Sequence, residues 1–347
     1  MSHAGEEGTA RFAARFPAQA AAGFYRRAQE WTVSNIGIGT YLGEMDQATD
    51  EAYSGALQEA AGAGINFIDT SLNYRNQRSE RNIAQALRAL IQRGALQREE
   101  VVVCTKAGYL VPDAIPADRL TVQDVADGVH SMAPSFLDDQ LDRSRKNLGL
   151  DAVDVFYLHN PETQLASIRE DEFYERIRRA FEFLEGAVSQ GKIRYYGAAT
   201  WDGFRRKPKG PAGLSLDRLA DLAQQTGGNQ HHFRFIQLPF NLAMPEAFTQ
   251  MENEKSVLTR AADLGITVIA SASLLQGRLK NLPEDLAAKL AGVTTDAQRC
   301  IQFTRSTPGI AVALVGMSRG EHVRENAALS RAPTVALDQY LSIYRSQ

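Results

Sequence analysis

The sequence predicts a single closed (β/α)8 TIM barrel, with an N-terminal hairpin closing its bottom and long loops on its C-terminal face. Three observations carry this expectation. Apolar runs of about five residues alternate with 3.6-periodic stretches, strand then helix, from about Asn35 to Ala328. The helix-to-strand turns are short and carry glycine (Ala63-Gly64, Gly149-Leu150-Asp151, Gln190-Gly191-Lys192, Leu264-Gly265), while the loops after the third, fourth, fifth and seventh strands are long. Ionisable residues collect where strands end, which is where barrel enzymes build their sites.

The strands are expected near 35–39, 65–69, 101–105, 153–158, 193–198, 235–238, 267–270 and 312–315. Helices are expected between them near 47–62, 79–93, 135–148, 172–190, 215–226, 255–264 and 296–305, with a last one near 320–329. Eight strand-helix units favour a closed parallel barrel over an open doubly wound sheet. The segment Phe24 to Val33 lies outside the alternation and is expected to pair as a small hairpin over the N-terminal end of the barrel. Residues 1–22 are rich in alanine and carry Arg11, Phe12, Arg15 and Phe16 at a four-residue spacing; they are expected to form a flexible or loosely docked arm ahead of one domain spanning 23–347. A transit peptide fits poorly, because Glu6 and Glu7 interrupt the segment and hydroxyl residues are few.

Composition narrows the function classes. The 347 residues, 44% hydrophobic and 23% charged, contain enough apolar material for a large core. A net charge of −3, from 38 basic and 41 acidic residues spread along the chain, offers no general field for nucleic acid or an anionic membrane. No apolar stretch approaches the ~18 to 20 residues of a membrane span. Cys104 and Cys300 fall in a predicted buried strand and a predicted helix, as core fillers in a reducing, cytoplasmic setting rather than a disulfide framework. A small-molecule carbonyl or alcohol is the expected partner, with no nucleic acid, no membrane and no metal.

Four strand ends carry the chemistry. Asp69 follows the run Ile65 to Ile68, and Tyr74 lies five residues further on, far enough round a turn to return above the strand. Val101-Val102-Val103-Cys104-Thr105 delivers Lys106, and Val153-Asp154-Val155-Phe156-Tyr157-Leu158 delivers His159. Reduction of a carbonyl needs a positioned acid to protonate oxygen as hydride reaches carbon. Tyrosine, with an ordinary pKa of about 10, is a reluctant acid, and a neighbouring ammonium such as Lys106 is expected to lower that value. Run backwards, the same arrangement oxidises an alcohol with the phenolate as base. Each residue alone has a plain structural explanation: a capping Asp, a surface Tyr, a solvated Lys, a core His.

Phe67-Ile68-Asp69-Thr70 with Tyr74, Thr105-Lys106 and Tyr157-Leu158-His159 resemble the catalytic tetrad of the aldo-keto reductase family. Gly37-Ile38-Gly39-Thr40, Ser79-Glu80, Gly191-Lys192-Ile193-Arg194, Ile236-Gln237-Leu238-Pro239-Phe240-Asn241 and the stretch Gly316 to Asn326 extend the resemblance from about Tyr25 to Leu329. It implies Asp69, Tyr74, Lys106 and His159 as catalytic residues, with Asp69 holding the lysine and His159 donating a hydrogen bond to the substrate oxygen.

No Gly-x-Gly-x-x-Gly follows a strand, so a nicotinamide cofactor must be held differently from a doubly wound fold. The resemblance places Gly39, Thr40, Tyr41 and Asp69 beside the nicotinamide, with Gln237, Thr200 and Ser271 near its ring and carboxamide. Leu274, Gln276, Gly277 and Leu279 would wrap the pyrophosphate. Gly316, Ser318, Arg319, His322, Arg324, Glu325 and Asn326 would take the adenosine end, with Asn326 at the adenine. Ser318, Arg319 and Arg324 can meet a 2′-phosphate, which favours NADPH/NADP+ over NADH. Two departures from the family pattern stand out: Ala199-Thr200 replaces a Ser-Asn pair, and Ser271 replaces an aromatic.

Tyr41, Tyr109, His159 and Trp201 are expected to line the substrate pocket, and the loop from Gly108 to Pro134, well beyond the ~15 residues usual for a passive connection, is the expected lid. Phe204-Arg205-Arg206-Lys207-Pro208-Lys209-Gly210 forms a basic loop on the same face, read as solvated or as a flap over an anionic group. The expected function is NADP-dependent hydride transfer between nicotinamide and an aldehyde or ketone, or the matching alcohol, with sugars among the candidates. Two rivals stay open: a nicotinamide-binding, redox-sensing regulatory subunit with vestigial activity, and a Schiff-base lyase using Lys106.

Overall fold

The computed structural model describes residues 3–116, 118–206, 212–251, 254–290 and 292–345. Two short helices, α1 (Glu6–Ala14) and α2 (Pro17–Ala21), precede an antiparallel hairpin of β1 (Tyr25–Ala28) and β2 (Trp31–Ser34). The barrel begins with β3 (Ile36–Gly39), α3 (Gln47–Gly62), β4 (Phe67–Asp69), α4 (Arg78–Gln92) and β5 (Val102–Ala107). A second small hairpin, β6 (Val125–Ala126) and β7 (His130–Ser131), interrupts the alternation. It resumes with α5 (Pro134–Leu148), β8 (Val153–His159), α6 (Glu170–Ser189), β9 (Ile193–Ala199), α7 (Leu216–Gly227), β10 (Phe233–Pro239), α8 (Glu246–Thr249), α9 (Val257–Asp263) and β11 (Thr267–Ser271). The chain continues through α10 (Glu284–Lys289), α11 (Asp296–Ser306), β12 (Ile310–Gly316), α12 (Gly320–Ala327) and α13 (Leu337–Ser342).

Strands β3, β4, β5, β8, β9, β10, β11 and β12 each pair in parallel with the next, and β12 closes on β3 through Leu314↔Gly37 and Gly316↔Gly39. This is the expected closed (β/α)8 barrel, in the expected strand order. Alternation along the strands divides the core in two. Phe67, Val102, Cys104, Val155, Tyr157, Phe235, Ile269, Val312 and Leu314 fill the interior, whereas Ile38, Ile68, Val103, Phe156, Leu158 and Ile236 belong to the layer under the helices. Gly197 belongs to this interior packing: a Cβ there would strike the Phe235 carbonyl and come within 3.0 Å of the Tyr157 ring.

The β1–β2 hairpin does close the bottom. Trp31 is fully buried in the interior cluster, stacked on Phe235 at 5.8 Å and edge-on to Tyr195 at 5.3 Å. The segment before it differs from the expected flexible or loosely docked arm. Ala4 and Phe12 are buried, the Ala4 N–H donates to Asp154 Oδ1 (2.6 Å), and Trp31 Nε1 donates to the Ala4 carbonyl (3.2 Å). Arg11 and Arg15 bridge to Glu100 at 3.2 and 2.8 Å. The partners that pin this segment lie 27 to 150 residues away in sequence, so local composition carries no trace of them. Among the described residues no helix is long and apolar enough to cross a membrane.

Candidate active site

Strand parity brings the expected residues together. Asp69 follows the interior-facing Phe67 by two positions, Lys106 follows Cys104, His159 follows Tyr157, and Gln237 follows Phe235. A period of two therefore puts all four at the top of the barrel interior. Register aligns them: Gly39 pairs with Asp69, and His159 and Gln237 both pair with Ala199. The chain then leaves β4 in a tight turn in which Arg75, Asn76 and Gln77 all have positive φ, between 50° and 71°. The Tyr74 N–H donates to the Ser71 carbonyl (3.0 Å), and this turn folds the phenol back over the strand ends.

Lys106 is fully buried, and three acceptors surround its ammonium: Asp69 Oδ2 at 2.6 Å, the Thr70 carbonyl at 2.8 Å and Tyr74 Oη at 3.4 Å. An ammonium has three protons, so these contacts complete its valence. The second oxygen of Asp69 accepts from Gln237 Nε2 at 2.8 Å. Burial opposes the charge on Lys106, but Asp69 and Tyr74 together hold its pKa above the ordinary lysine value. Burial likewise raises the Asp69 carboxyl, against the pull of Lys106 and Gln237. The two groups titrate as one unit, with the proton on lysine and two hydrogen bonds on the carboxylate.

Tyr74 departs from the expected direction. Burial pushes its hydroxyl up, and Lys106 pulls back only part of that rise. Desolvation in a closed site outweighs one ammonium 3.4 Å away. The phenol is therefore neutral at physiological pH and able to donate. Its ring lies edge-on to Tyr41 at 5.0 Å and to His159 at 5.7 Å. Burial, with Lys106 and His130 nearby, drives His159 well below the ordinary histidine range, so its imidazole is neutral. Nδ1 of His159 lies 3.1 Å from Ser71 Oγ, which leaves Nε2 for a substrate.

A cavity of about 900 Å³ opens above these groups, in the size range of small-molecule and cofactor sites. Asp69, Tyr74 and His159 line it, together with Gly39, Thr40, Tyr41, Thr200, Gln237, Ser271, Leu274, Gln276, Gly277, Gly316, Ser318, His322, Glu325 and Asn326. Tyr109 and Trp201 line it as well, Tyr109 edge-on to His159 at 5.2 Å. Lys106 supports from beneath. Leu279, Arg319 and Arg324 do not line the cavity: Arg319 is turned to Glu321 (3.2 Å) and Arg324 to Glu59 (2.6 Å). At the departures from the family pattern, Ala199 presents no polar side-chain atom and Ser271 lines the cavity as a half-buried hydroxyl. Of the basic loop, Arg205 is tied to Glu246 (2.7 Å) and Arg206 to Asp202 (3.3 Å), while Lys207 to Gly210 lie outside the described residues.

Several site residues carry no signal of their own in the sequence. Glu162, three residues past His159, is buried and its Oε1 accepts from the backbone N–H groups of Trp201, Asp202 and Gly203 at 2.7, 3.0 and 3.3 Å. Burial raises its carboxyl, partly offset by those N–H donors. Arg75 fixes the Tyr74 turn by donating to the Glu44 carbonyl (2.8 Å), Asn82 (2.8 Å) and Asp50 (2.6 Å). Asn73, Asn160, Ser273 and Lys280 also line the cavity. Closeness in sequence to a recognised residue, Arg75 directly after Tyr74 and Glu162 three residues past His159, is the clue these two positions offer.

Thr200 Oγ1 and Ser273 Oγ are buried against the cavity without any hydrogen-bond partner. Native structures rarely leave buried hydroxyls unpaired, and a bound polar group resolves both. Residues 272–277 include Ala272, Leu275, Gln276 and Gly277 at positive φ, a tightly coiled backbone on the cavity wall. The residues present thus fit an elongated polar cofactor with one end beside Tyr74.

Fold and site together define a barrel of the oxidoreductase class, with a buried acid, lysine, tyrosine and histidine at its C-terminal mouth. Residues 35–289 match the model of the aldo/keto reductase family, and the chain belongs to that family. Among relatives, a Schizosaccharomyces pombe protein assigned as a voltage-gated potassium channel subunit beta is 25% identical over 85% of this chain and 83% of its own. The D-threo-aldose 1-dehydrogenase of a Pseudomonas species is 30% identical over 52% of each chain. A Klebsiella pneumoniae aldo/keto reductase solved with NADP and acetate superposes with a TM-score of 0.65 at 20% identity, covering 92% of this chain and 93% of that one.

Proposed function

We propose that this chain transfers hydride between NADPH or NADP+ and a small aldehyde, ketone or matching alcohol, with Tyr74 as the general acid and base. The observation that carries the reading is the placement of Tyr74 Oη, 3.4 Å from an ammonium that Asp69 holds at 2.6 Å, at the floor of the cavity. A bound nicotinamide would supply or accept the hydride at carbon. Tyr74 gives its proton to the carbonyl oxygen, and the phenolate that results is stabilised by Lys106. Neutral His159 donates from Nε2 to the same oxygen when the Ser71 hydroxyl serves Nδ1, which fixes the carbonyl beside Tyr74. In oxidation the phenolate takes the proton of the alcohol.

Thr200 Oγ1 and the carbonyl end of Gln237 suit the carboxamide, and Ser273 with Lys280 suits the diphosphate. At the adenosine end Arg324 and Arg319 are held by acids, but those pairs are exposed and individually weak. A 2′-phosphate can compete for either arginine, which supports NADPH over NADH. Aromatic faces on Tyr41, Tyr109 and Trp201, alternating with the amides of Asn73 and Asn160, suit a neutral carbonyl with hydroxyl groups, including an aldose. The reading places the protein in the cytoplasm with small molecules as its partners.

Lys106 is ill suited to Schiff-base chemistry, because its amine is protonated, buried and saturated with acceptors. The similarity to proteins named as potassium channel β subunits favours a second reading, in which slow turnover reports redox state to a partner. A panel of aldehydes, ketones and aldoses assayed with NADPH and with NADH separates the two. Turnover at rates of about 1 s⁻¹ or more supports a metabolic enzyme. Tight NADPH binding with no carbonyl turned over supports the sensor.

A further inference from the structure

The expected lid contains a residue that reaches back into the site. His130, on β7, is fully buried, and its Nε2 donates to the backbone carbonyl of His159 at 2.8 Å. Its Nδ1 lies 3.0 Å from Gln164 Nε2, and Gln164 Oε1 in turn accepts from Arg176 Nη1 at 3.1 Å. The polarity of this relay is fixed. Arg176 can only donate, so Gln164 must present its carbonyl to Arg176 and its amide N–H to His130. Nδ1 of His130 therefore accepts, and the ring proton sits on Nε2, aimed at the His159 carbonyl. Arg176 Nη2 also donates to the Gln123 carbonyl in the lid at 2.8 Å, so one guanidinium on α6 holds both ends of the arrangement.

The packing around the relay is equally specific. The Tyr109 ring stands edge-on between the two histidines, 5.3 Å from His130 and 5.2 Å from His159. The lid backbone is zipped to this point by Ser131 N–H donating to Gly108 O and Leu110 N–H to Val129 O, each at 2.8 Å. Gly108 permits the approach: a Cβ there would lie 2.5 Å from both His130 Nε2 and the His159 carbonyl oxygen. The neighbouring peptide, Asn160, is held in the left-handed region at φ 48° and donates to the Ala199 carbonyl at 2.6 Å.

We propose that His130 is a positioning residue: through the chain Arg176–Gln164–His130 the lid hairpin clamps the His159 peptide, and so orients the imidazole that meets the substrate oxygen. The proposal rests on the reading of His159 as that group. With the clamp in place, the closed position of the lid and a productive His159 are one state rather than two. Displacement of a polarising donor by about 1 Å costs up to ~100-fold in rate, so the clamp acts on turnover without touching substrate.

The test uses the full-length chain. His130→Phe keeps a ring beside Tyr109 and removes both the Nε2 donor and the Nδ1 acceptor, and His130→Gln returns an amide N–H close to the position of Nε2. The expected result is a fall of about 10- to 100-fold in kcat per NADPH-binding site for His130→Phe, with NADPH affinity within about twofold of wild type, and partial recovery in His130→Gln. A purely structural role predicts a lower Tm with kcat per NADPH-binding site unchanged, and that outcome overturns the proposal. If His130→Phe does not fold, Gln164→Leu, which leaves the ring in place, is read in the same way. If the wild-type protein turns over no carbonyl, the functional reading has failed by itself, and the ring ¹⁵N resonances of His159 decide the clamp. They shift in His130→Phe and Gln164→Leu if it exists, and unchanged resonances rule it out.

Discussion

Asp69 uses both oxygens and Lys106 all three protons, so this pair is saturated, and the hydroxyl of Tyr74 and Nε2 of His159 are the tetrad groups left to meet a substrate. Tyr74→Phe removes the proton proposed to be transferred to the carbonyl oxygen. General acids contribute about 10²- to 10⁴-fold, and kcat for carbonyl reduction should fall by that order while NADPH binding, followed by fluorescence titration, stays within about twofold. Full activity in Tyr74→Phe would remove the tyrosine from the mechanism. The histidines give a pH prediction. His130 has its pKa lowered to about 4 by burial, while an unfolded histidine titrates near 6.5. The unfolded chain thus binds a proton that the native state refuses between those values, and stability falls as pH drops from 6.5 towards 4. The full interval is worth up to about 3 kcal/mol, and His159 acts in the same direction. Urea midpoints should decline over this window in wild type and decline less in His130→Phe; equal slopes would show that His130 is not the source.

At the scale of elements, each strand end was legible because strand parity is written in the alternation of apolar residues, and Asp69, Lys106, His159 and Gln237 all keep the parity of Phe67, Cys104, Tyr157 and Phe235. The loops were not legible, because what holds them is polar and distant. The Trp201–Gly203 turn takes its shape from Glu162 on the preceding loop. Glu162→Ala would leave three backbone N–H groups without their acceptor, at a cost of about 1–3 kcal/mol each where water cannot reach. The expected consequence is a KM for substrate raised about tenfold, since Trp201 loses its frame, with kcat and NADPH affinity little changed. An unaltered KM in a folded Glu162→Ala protein would show that the turn keeps its shape unaided. Around His130 the sequence predicts only a long loop, because two two-residue strands generate no pattern.

For the molecule as a whole, the bottom of the barrel is a layered plug. The hairpin inserts Trp31 among Val102, Val155, Phe235 and Val312, and the N-terminal segment seals it through Ala4, Phe12 and Asp154. Active-site geometry at the top and stability at the bottom are therefore served by opposite ends of the same strands. Trp31→Ala should destabilise the fold by about 3–5 kcal/mol through lost burial and a residual cavity. Because the cavity above Tyr74 is formed at the other end, kcat below the unfolding transition should stay within about twofold. A loss of activity equal in temperature dependence to the wild type, without a lower unfolding midpoint, would contradict this division.

The sequence by itself determined the fold class, the order and number of the barrel strands, and which acid, lysine, tyrosine and histidine share the mouth, because all of these follow from local periodicity and from residues at strand ends. Tertiary structure alone decided that residues 3–22 are part of the fold, that burial raises Tyr74 more than Lys106 lowers it, that Arg319 and Arg324 face acids rather than the cavity, and that His130 and Glu162 brace the site. Those properties depend on desolvation and on hydrogen bonds between segments tens to hundreds of residues apart, and neither leaves a periodic mark on the chain.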